Sequence, residues 1–128
     1  MSQPISSMMQ REVVFADIDD SIATVEQRMN ERQLSWLPVL EGGSTVIGVI
    51  SSVDLLQFHA LDRRADDVRA WQLCSYKPFT VTPQTPASEV ARVMVARRIH
   101  HVVVIGPSGI EGVVSSLDFV QRYLDTPA

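Results

Sequence analysis

The chain repeats one pattern of residues, and this repeat constrains the fold more than any other feature. Gly48–Leu55 and Gly112–Phe119 share a glycine, a valine, two adjacent serines and an aspartate in register, with apolar residues at the other positions. Further upstream, Val25 has the place that Val90 has in the second copy. The period is about 64 residues, the size of one supersecondary unit. We therefore predict two units, residues 1–65 and 66–128, that bury their apolar faces against each other in one small domain.

Both copies predict the same order of helices and strands. In the first, Ile22, Val25 and Met29 have the spacing of one face of an amphipathic helix. The charged stretch 60–70 between the copies contains no Gly or Pro, which favours a helical extension or a surface connection over a flexible hinge. The predicted strands are 36–40, 46–50, 101–105 and 111–114; the predicted helices begin near residues 21, 51, 87 and 116; and residues 15–18 and 80–83 are extended lead-ins.

Composition argues against several classes of protein. Hydrophobic residues make up 45% of the 128 residues and charged residues 20%, which is typical of a globular chain rather than a disordered one. A net charge of −4 argues against a nucleic-acid-binding surface, which usually needs a basic face. Cys74 is the only cysteine, so no disulfide forms within the chain. The first residues lack the pattern of a signal peptide, and no apolar stretch is long enough for a membrane span, so we expect a cytoplasmic protein without membrane contact.

The paired Gly-h-h-Ser-x-x-Asp elements, where h is apolar, resemble those of the CBS domain family, whose members commonly occur as a tandem pair called a Bateman module. The resemblance covers nearly the whole chain and includes Leu37-Pro38-Val39 and the segment Arg98–Val104. Met9–Val14 and Cys74–Phe79 look like the entry segment that precedes each copy in the family. The resemblance implies an α/β (α+β) fold of two pseudo-symmetric CBS units, each a short sheet packed with two helices, joined face to face.

The resemblance also implies a function. Members of the family bind adenine nucleotides, or relatives such as S-adenosylmethionine, in clefts between the two copies, and binding changes the behaviour of an attached or partner protein. We therefore expect a regulatory, signal-transduction module that is not an enzyme and that modulates an unknown protein effector. AMP is the expected ligand, with ADP and ATP as alternatives, and two modules are expected to form a homodimer. The alternative is a ligand-free scaffold for dimerisation and protein docking.

The residues of the repeat suggest how such a ligand is held. Ser51 and Ser115 lie where a strand gives way to a helix, and helix N-termini offer unpaired N–H groups to a phosphate. Asp54 and Asp118 lie one turn further on, where a carboxylate can accept hydrogen bonds from ribose hydroxyls, and the family uses its matching positions in this way. The resemblance adds a histidine against phosphate and lead-in backbone against adenine. The candidate ligand-binding residues are Phe15, Ala16, Asp17, Ser35, Pro38, Ser51 and Asp54 in the first copy, and Thr80, Val81, Thr82, Arg98, His100, His101, Ser115 and Asp118 in the second.

The same Ser-x-x-Asp spacing is also that of a capping box, in which the hydroxyl and the carboxylate satisfy the first N–H groups of a helix without any ligand. The two roles are compatible, because a cap uses only part of the donor set. The second copy is the better candidate for a ligand site. It has His100 and the pair Arg97-Arg98 where the first copy has Ser35 and a single Arg32.

Other residues support fewer conclusions. Some relatives carry a hydroxyl immediately before the aspartate, where this chain has Val53 and Leu117, and this removes one phosphate contact in each copy. His100 and His101 are adjacent in a strand, so their side chains point to opposite faces and no metal site is expected. Cys74 is interpreted as a packed residue of the entry segment, and no catalytic constellation is recognisable.

Overall fold

The computed structural model describes residues 2–126, which form two compact α/β units. The first unit is Val14–Pro78, and the second unit combines the chain up to Val13 with the chain from Phe79 onward. These limits differ from the repeat limits of 1–65 and 66–128. The N-terminal segment belongs to the second unit, and the segment between the repeats belongs to the first.

Backbone hydrogen bonds explain why the two segments are placed in this way. The amide of Ala87 donates to the carbonyl of Gln3 at 2.7 Å, and the amide of Ile22 donates to the carbonyl of Val68 at 2.9 Å. Ala87 and Ile22 are the first residues of two long helices, whose leading N–H groups have no partner within the helix. Each segment therefore supplies acceptors to the start of a helix that lies far away in sequence.

The first unit contains a three-stranded sheet and three helices. β1 (Ala16–Asp17) runs parallel to β2 (Trp36–Glu41), and β2 pairs antiparallel with β3 (Thr45–Ser51). The helices are α1 (Ile22–Arg32), α2 (Ser52–Ala60) and α3 (Ala70–Leu73). Between α2 and α3 the chain forms turns and irregular backbone, so the surface connection is found rather than a helical extension.

The second unit has the same topology. β4 (Thr80–Val81) runs parallel to β5 (His101–Gly106), which pairs antiparallel with β6 (Gly109–Ser115). Its helices are α4 (Ala87–Arg97) and α5 (Ser116–Asp125), preceded by a short 3-10 helix, Ile5–Ser7, in the N-terminal segment. The strands and helices predicted from the repeat are confirmed, with small shifts at their ends. The short helices Ile5–Ser7 and α3 were not predicted.

Each unit has its own apolar core, built from the helical face that the periodicity predicted. Ile22, Val25 and Met29 of α1 are buried against β2, β3 and α2 in the first unit. Val90 and Met94 of α4 have the same position in the second unit, and Ile5 from the N-terminal segment is fully buried beside them. The remaining buried residues of the two cores include Leu37, Val39, Ile50 and Phe58 in the first unit and Val102, Val104, Val114 and Phe119 in the second.

The glycine of each repeated element marks a place where another segment of backbone crosses β3 or β6. Val49 exchanges two backbone hydrogen bonds with Ser75, at 2.9 and 3.0 Å, and Val113 exchanges two with Gln10 at the same distances. A Cβ atom at Gly48 would overlap the carbonyl oxygen of Ser75, and one at Gly112 would lie 2.9 Å from the carbonyl oxygen of Gln10. The glycines are therefore required by the close approach of the two entry segments.

The two long first helices end in the same way. Gln33 follows α1 and Arg98 follows α4, and both adopt the left-handed conformation, with φ of 54°. This geometry is common immediately after a helix C-terminus. It places Gln33 and Arg98 at equivalent points of the two units.

Among residues 2–126, no helix has the length and apolar character needed to cross a membrane.

Candidate functional site

Ser51 and Ser115 are the N-cap residues of α2 and α5. The amide of Ser115 donates to Oδ2 of Asp118 at 2.8 Å, and the amide of Asp118 donates to Oγ of Ser115 at 3.2 Å. Ser51 and Asp54 repeat this arrangement at 2.8 and 3.3 Å. Both elements are complete capping boxes, so each has a structural role before any ligand is considered.

The two aspartates differ in the contacts of their carboxylates. Oδ1 of Asp118, the oxygen outside the capping box, accepts a hydrogen bond from Nε2 of Gln10 at 3.3 Å. In the first unit, Oγ of Ser51 donates at 3.0 Å to Oδ2 of Asp54, the oxygen that the cap already uses. The sequence pattern indicates the entry segment but not a role for the Gln10 side chain. No local pattern reveals a contact between residues 108 positions apart.

His101 lies on β5 opposite Ser115 and is half-buried. Burial lowers the pKa of its imidazole from 6.5 to about 4, with a further lowering from His100 and an opposing effect from the carboxylate of Asp118. The ring is therefore neutral near pH 7. At that pH His101 carries no positive charge.

This lowered pKa predicts a loss of stability in mild acid. The unfolded chain takes up a proton on His101 below about pH 6.5 and the folded chain does so only below about pH 4, so the free energy of unfolding falls as the pH decreases between these values. Urea unfolding across this range should show a shallower pH slope for His101→Gln than for the unsubstituted chain. His100→Gln should remove a smaller part of the slope, because His100 contributes to the lowered pKa. Identical slopes in all three proteins would contradict the assignment.

The lead-in residues lie on the outer strand of each sheet. In the second unit, Thr80 and Val81 pair with β5, and Thr82 follows, its hydroxyl 3.1 Å from that of Thr85. β5 lies between them and β6, which leads to Ser115. In the first unit Ala16 is buried on β1, the carbonyl of Phe15 accepts from Arg28, and the carboxylate of Asp17 accepts from the amide of Asp19. Thr80 and Thr82 are exposed at this edge.

The residues before β2 and β5 reach the starts of α2 and α5. The carbonyl of His100 accepts from the amide of Ser116 at 2.9 Å, and the carbonyl of Ser35 accepts from the amide of Ser52 at 2.8 Å. The structure thus brings His100, His101, Ser115 and Asp118 together at one end of α5.

Three other candidate ligand-binding residues, Arg98, Pro38 and Ser35, lie outside this group. Arg98 is exposed at the end of α4. Pro38 is buried in β2, opposite Val49. Ser35 lines an open groove of about 420 Å³ that also includes Glu26 and Ser52.

Cys74 is a buried free thiol of the first unit. Burial raises the pKa of the Cys74 thiol, which disfavours the reactive thiolate. Within residues 2–126, no group of three or more His, Cys, Asp or Glu side chains is arranged to hold a metal ion.

The CBS domain model matches this chain twice, at residues 5–60 and 68–125. Among solved structures, the CBS domain of a bacterial CNNM/CorC family Mg²⁺ transporter in complex with ATP is similar, with a TM-score of 0.85 and 18% identity over 98% of this chain and 89% of that one. CBSX2 in complex with AMP has a TM-score of 0.82 and 18% identity over 95% and 96% of the two chains. The CBS domain pair of protein MJ0100, in complex with 5′-methylthioadenosine and S-adenosyl-L-methionine, has a TM-score of 0.83 and 18% identity over 96% and 97%.

A curated sequence relative is homoserine O-acetyltransferase of Methanococcus vannielii, 41% identical over 51 residues. This match covers 40% of the present chain but 10% of the length of that enzyme. The family model covers far more of the chain and matches it twice, once in each copy of the sequence repeat. The fold, the paired Ser-x-x-Asp elements and both family matches place this chain in the CBS domain family, as a tandem pair of CBS domains.

Proposed function

We propose that this CBS domain pair is a regulatory module that binds an adenine nucleotide, AMP in particular, and in response changes the behaviour of a partner protein. The three structural relatives described above were solved with AMP, ATP, or 5′-methylthioadenosine and S-adenosylmethionine. These ligands share an adenosine group, and so a ribose that needs hydrogen-bond acceptors. The proposal therefore depends on whether this chain offers such an acceptor in a fixed place.

The observation that carries the proposal is the position of Asp118. Its Oδ2 is fixed by the amide of Ser115, which holds the carboxylate in one orientation. Within residues 2–126, Oδ1 accepts one hydrogen bond, a long one of 3.3 Å from the side chain of Gln10, and the residue is only half-buried. An ionised carboxylate that is fixed in this way can accept hydrogen bonds from the hydroxyls of a ribose.

Charge favours the second unit over the first. Arg98 has the place in the second unit that Gln33 has in the first, and His100 has the place of Ser35. The groove beside Ser35 is lined by Glu26, whose carboxylate is 2.7 Å from the His59 ring. Arg98 and His100 can donate hydrogen bonds to a phosphate group, and the charge of Arg98 attracts it. The carboxylate of Glu26 repels a phosphate group. We therefore assign the stronger site to Asp118.

AMP is preferred over ATP because the residue before each aspartate has no hydrogen-bond donor in its side chain. The residues that precede the aspartates, Val53 and Leu117, are 59% and 70% exposed and offer only apolar surface. A longer phosphate chain gains no hydrogen bond from either of them. ADP and ATP remain as alternatives for the affinity comparison.

A thermal-unfolding panel tests the proposal. AMP, ADP, ATP, NAD and S-adenosylmethionine are compared, with GMP and inorganic phosphate as controls for base and phosphate. A ligand at 100 times its dissociation constant should stabilise the folded chain by about 2.7 kcal/mol. We expect AMP to give the largest shift and inorganic phosphate none. No shift with any adenosine ligand at millimolar concentration would exclude the proposed function.

The second candidate function is a ligand-free dimerisation and docking scaffold. One observation favours it: α5 exposes a run of large apolar side chains, since Leu117, Tyr123 and Leu124 are each at least 70% exposed and Val120 is 49% exposed. Such a surface is typical of a protein-binding site. A scaffold should form a homodimer whose mass and stability, measured by light scattering and thermal unfolding, do not respond to nucleotides.

A further inference from the structure

We propose that the side chain of Gln10 is a built-in competitor for the ribose position on Asp118 and sets the affinity of the second unit for its ligand. The inference rests on the proposed function, because it concerns the same carboxylate. Nε2 of Gln10 donates to Oδ1 of Asp118 at 3.3 Å, and Oδ1 is the oxygen that the capping box leaves available. A ribose hydroxyl and this amide therefore need the same acceptor.

Only the side chain of Gln10 has to move when a ligand enters. Its backbone is held by two hydrogen bonds to Val113, with the amide of Gln10 donating at 2.9 Å and the carbonyl accepting at 3.0 Å. The close approach of the two backbones is possible because residue 112 is glycine. The exposed side chain can rotate away from Asp118 while the entry segment stays in place.

The first unit provides a natural comparison. Ser75 has the place of Gln10, since it exchanges two backbone hydrogen bonds with Val49 as Gln10 does with Val113. A serine side chain has three fewer heavy atoms than that of glutamine and ends close to its own backbone. No described hydrogen bond among residues 2–126 joins Ser75 to Asp54 through the serine hydroxyl. The two units thus share a backbone arrangement and differ in the side chain of the residue that pairs with Val49 or Val113.

The experiment replaces Gln10 with the residue of the other unit. Gln10→Ser keeps the backbone pairing with Val113 and removes the donor that contacts Asp118, so the affinity for AMP measured by calorimetry should increase about threefold, the effect of one modest hydrogen bond. Arg11→Ser is the matched control in the same segment, because its guanidinium donates to the carbonyl of Ser6 and not to Asp118. Its affinity for AMP should equal that of the unsubstituted chain. Thermal unfolding without AMP confirms that both variants are folded.

The other outcomes separate the two proposals. If Gln10→Ser binds AMP with unchanged or lower affinity while the unsubstituted chain binds it, Gln10 is not a competitor and the proposed function stands. If Gln10→Ser binds AMP and the unsubstituted chain does not, Gln10 is a competitor for Asp118, but the proposed function of the unsubstituted chain is wrong. If neither protein binds AMP, both proposals are wrong.

Discussion

Gly48→Ala should reduce the free energy of unfolding by about 3 kcal/mol, the largest effect we expect from adding a single methyl group to this chain. The new Cβ would overlap the carbonyl oxygen of Ser75 and lie 3.0 Å from Sγ of Cys74. Relief requires the entry segment to move away from β3, which breaks the two backbone hydrogen bonds between Val49 and Ser75. Urea unfolding of the variant and the unsubstituted chain measures the difference.

Gly43→Ala is the control for the loss of a glycine. Gly43 has a φ of 76° in the turn between β2 and β3, and nothing lies within 4 Å of an added Cβ. The substitution should cost about 1 kcal/mol, because only the left-handed backbone conformation opposes it. If Gly48→Ala destabilises the protein no more than Gly43→Ala does, the entry segment does not cross at Gly48.

The helices and strands were predictable where their pattern depends on residues that are close in sequence. Ile22, Val25 and Met29 lie on one helical face, and the structure buries all three in the first unit. The strands on either side of the Gly-Gly turn pair with each other, as the short connection between them requires. Such features depend on residues that are close in sequence, so their periodicity is a direct signal.

The assignment of segments to units was not predictable in this way. The carbonyl of Gln3 accepts a hydrogen bond from the first residue of α4, and the carbonyl of Val68 accepts one from the first residue of α1. Both acceptors are distant in sequence from the helix that they contact. Backbone groups carry no sequence signature, so a repeat alignment cannot show which copy they complete. The glycines at 48 and 112 were the available clue, because a glycine inside a strand often indicates close approach of another backbone.

The candidate site was predictable only in its local features. The Ser-x-x-Asp spacing correctly indicated a helix start, and both capping boxes are present. The sequence did not show that the carboxylates of Asp54 and Asp118 have different contacts. That difference arises from the long-range hydrogen bond between Gln10 and Asp118. It also gave no sign that His101 is half-buried and neutral, because burial is set by the packing of β5.

Asp118→Asn should weaken AMP binding by about 10- to 100-fold, because a hydrogen bond to a charged acceptor contributes about 1.5–3 kcal/mol. The asparagine oxygen can still accept from the amide of Ser115, so the capping box is retained. The amide nitrogen replaces Oδ1, and a donor then faces the ribose hydroxyls in place of an acceptor. The substitution thus removes the proposed binding role and preserves the structural one.

Asp54→Asn is the matched control, since it makes the same chemical change in the equivalent capping box of the first unit. Both variants lose a negative charge at a helix N-terminus, which costs each about 0.3–1 kcal/mol of stability. Their thermal unfolding temperatures without ligand should therefore change by similar amounts. Any difference between them in nucleotide affinity is due to the ligand site and not to the cap.

The central claim is that Asp118 holds the ribose of an adenine nucleotide, and calorimetric titration of AMP into three proteins tests it most directly. The unsubstituted chain and Asp54→Asn should both show saturable binding of similar affinity. Asp118→Asn should bind at least about tenfold more weakly. Equal affinity of Asp118→Asn and the unsubstituted chain, or no heat of binding from any of the three at millimolar AMP, would contradict the claim.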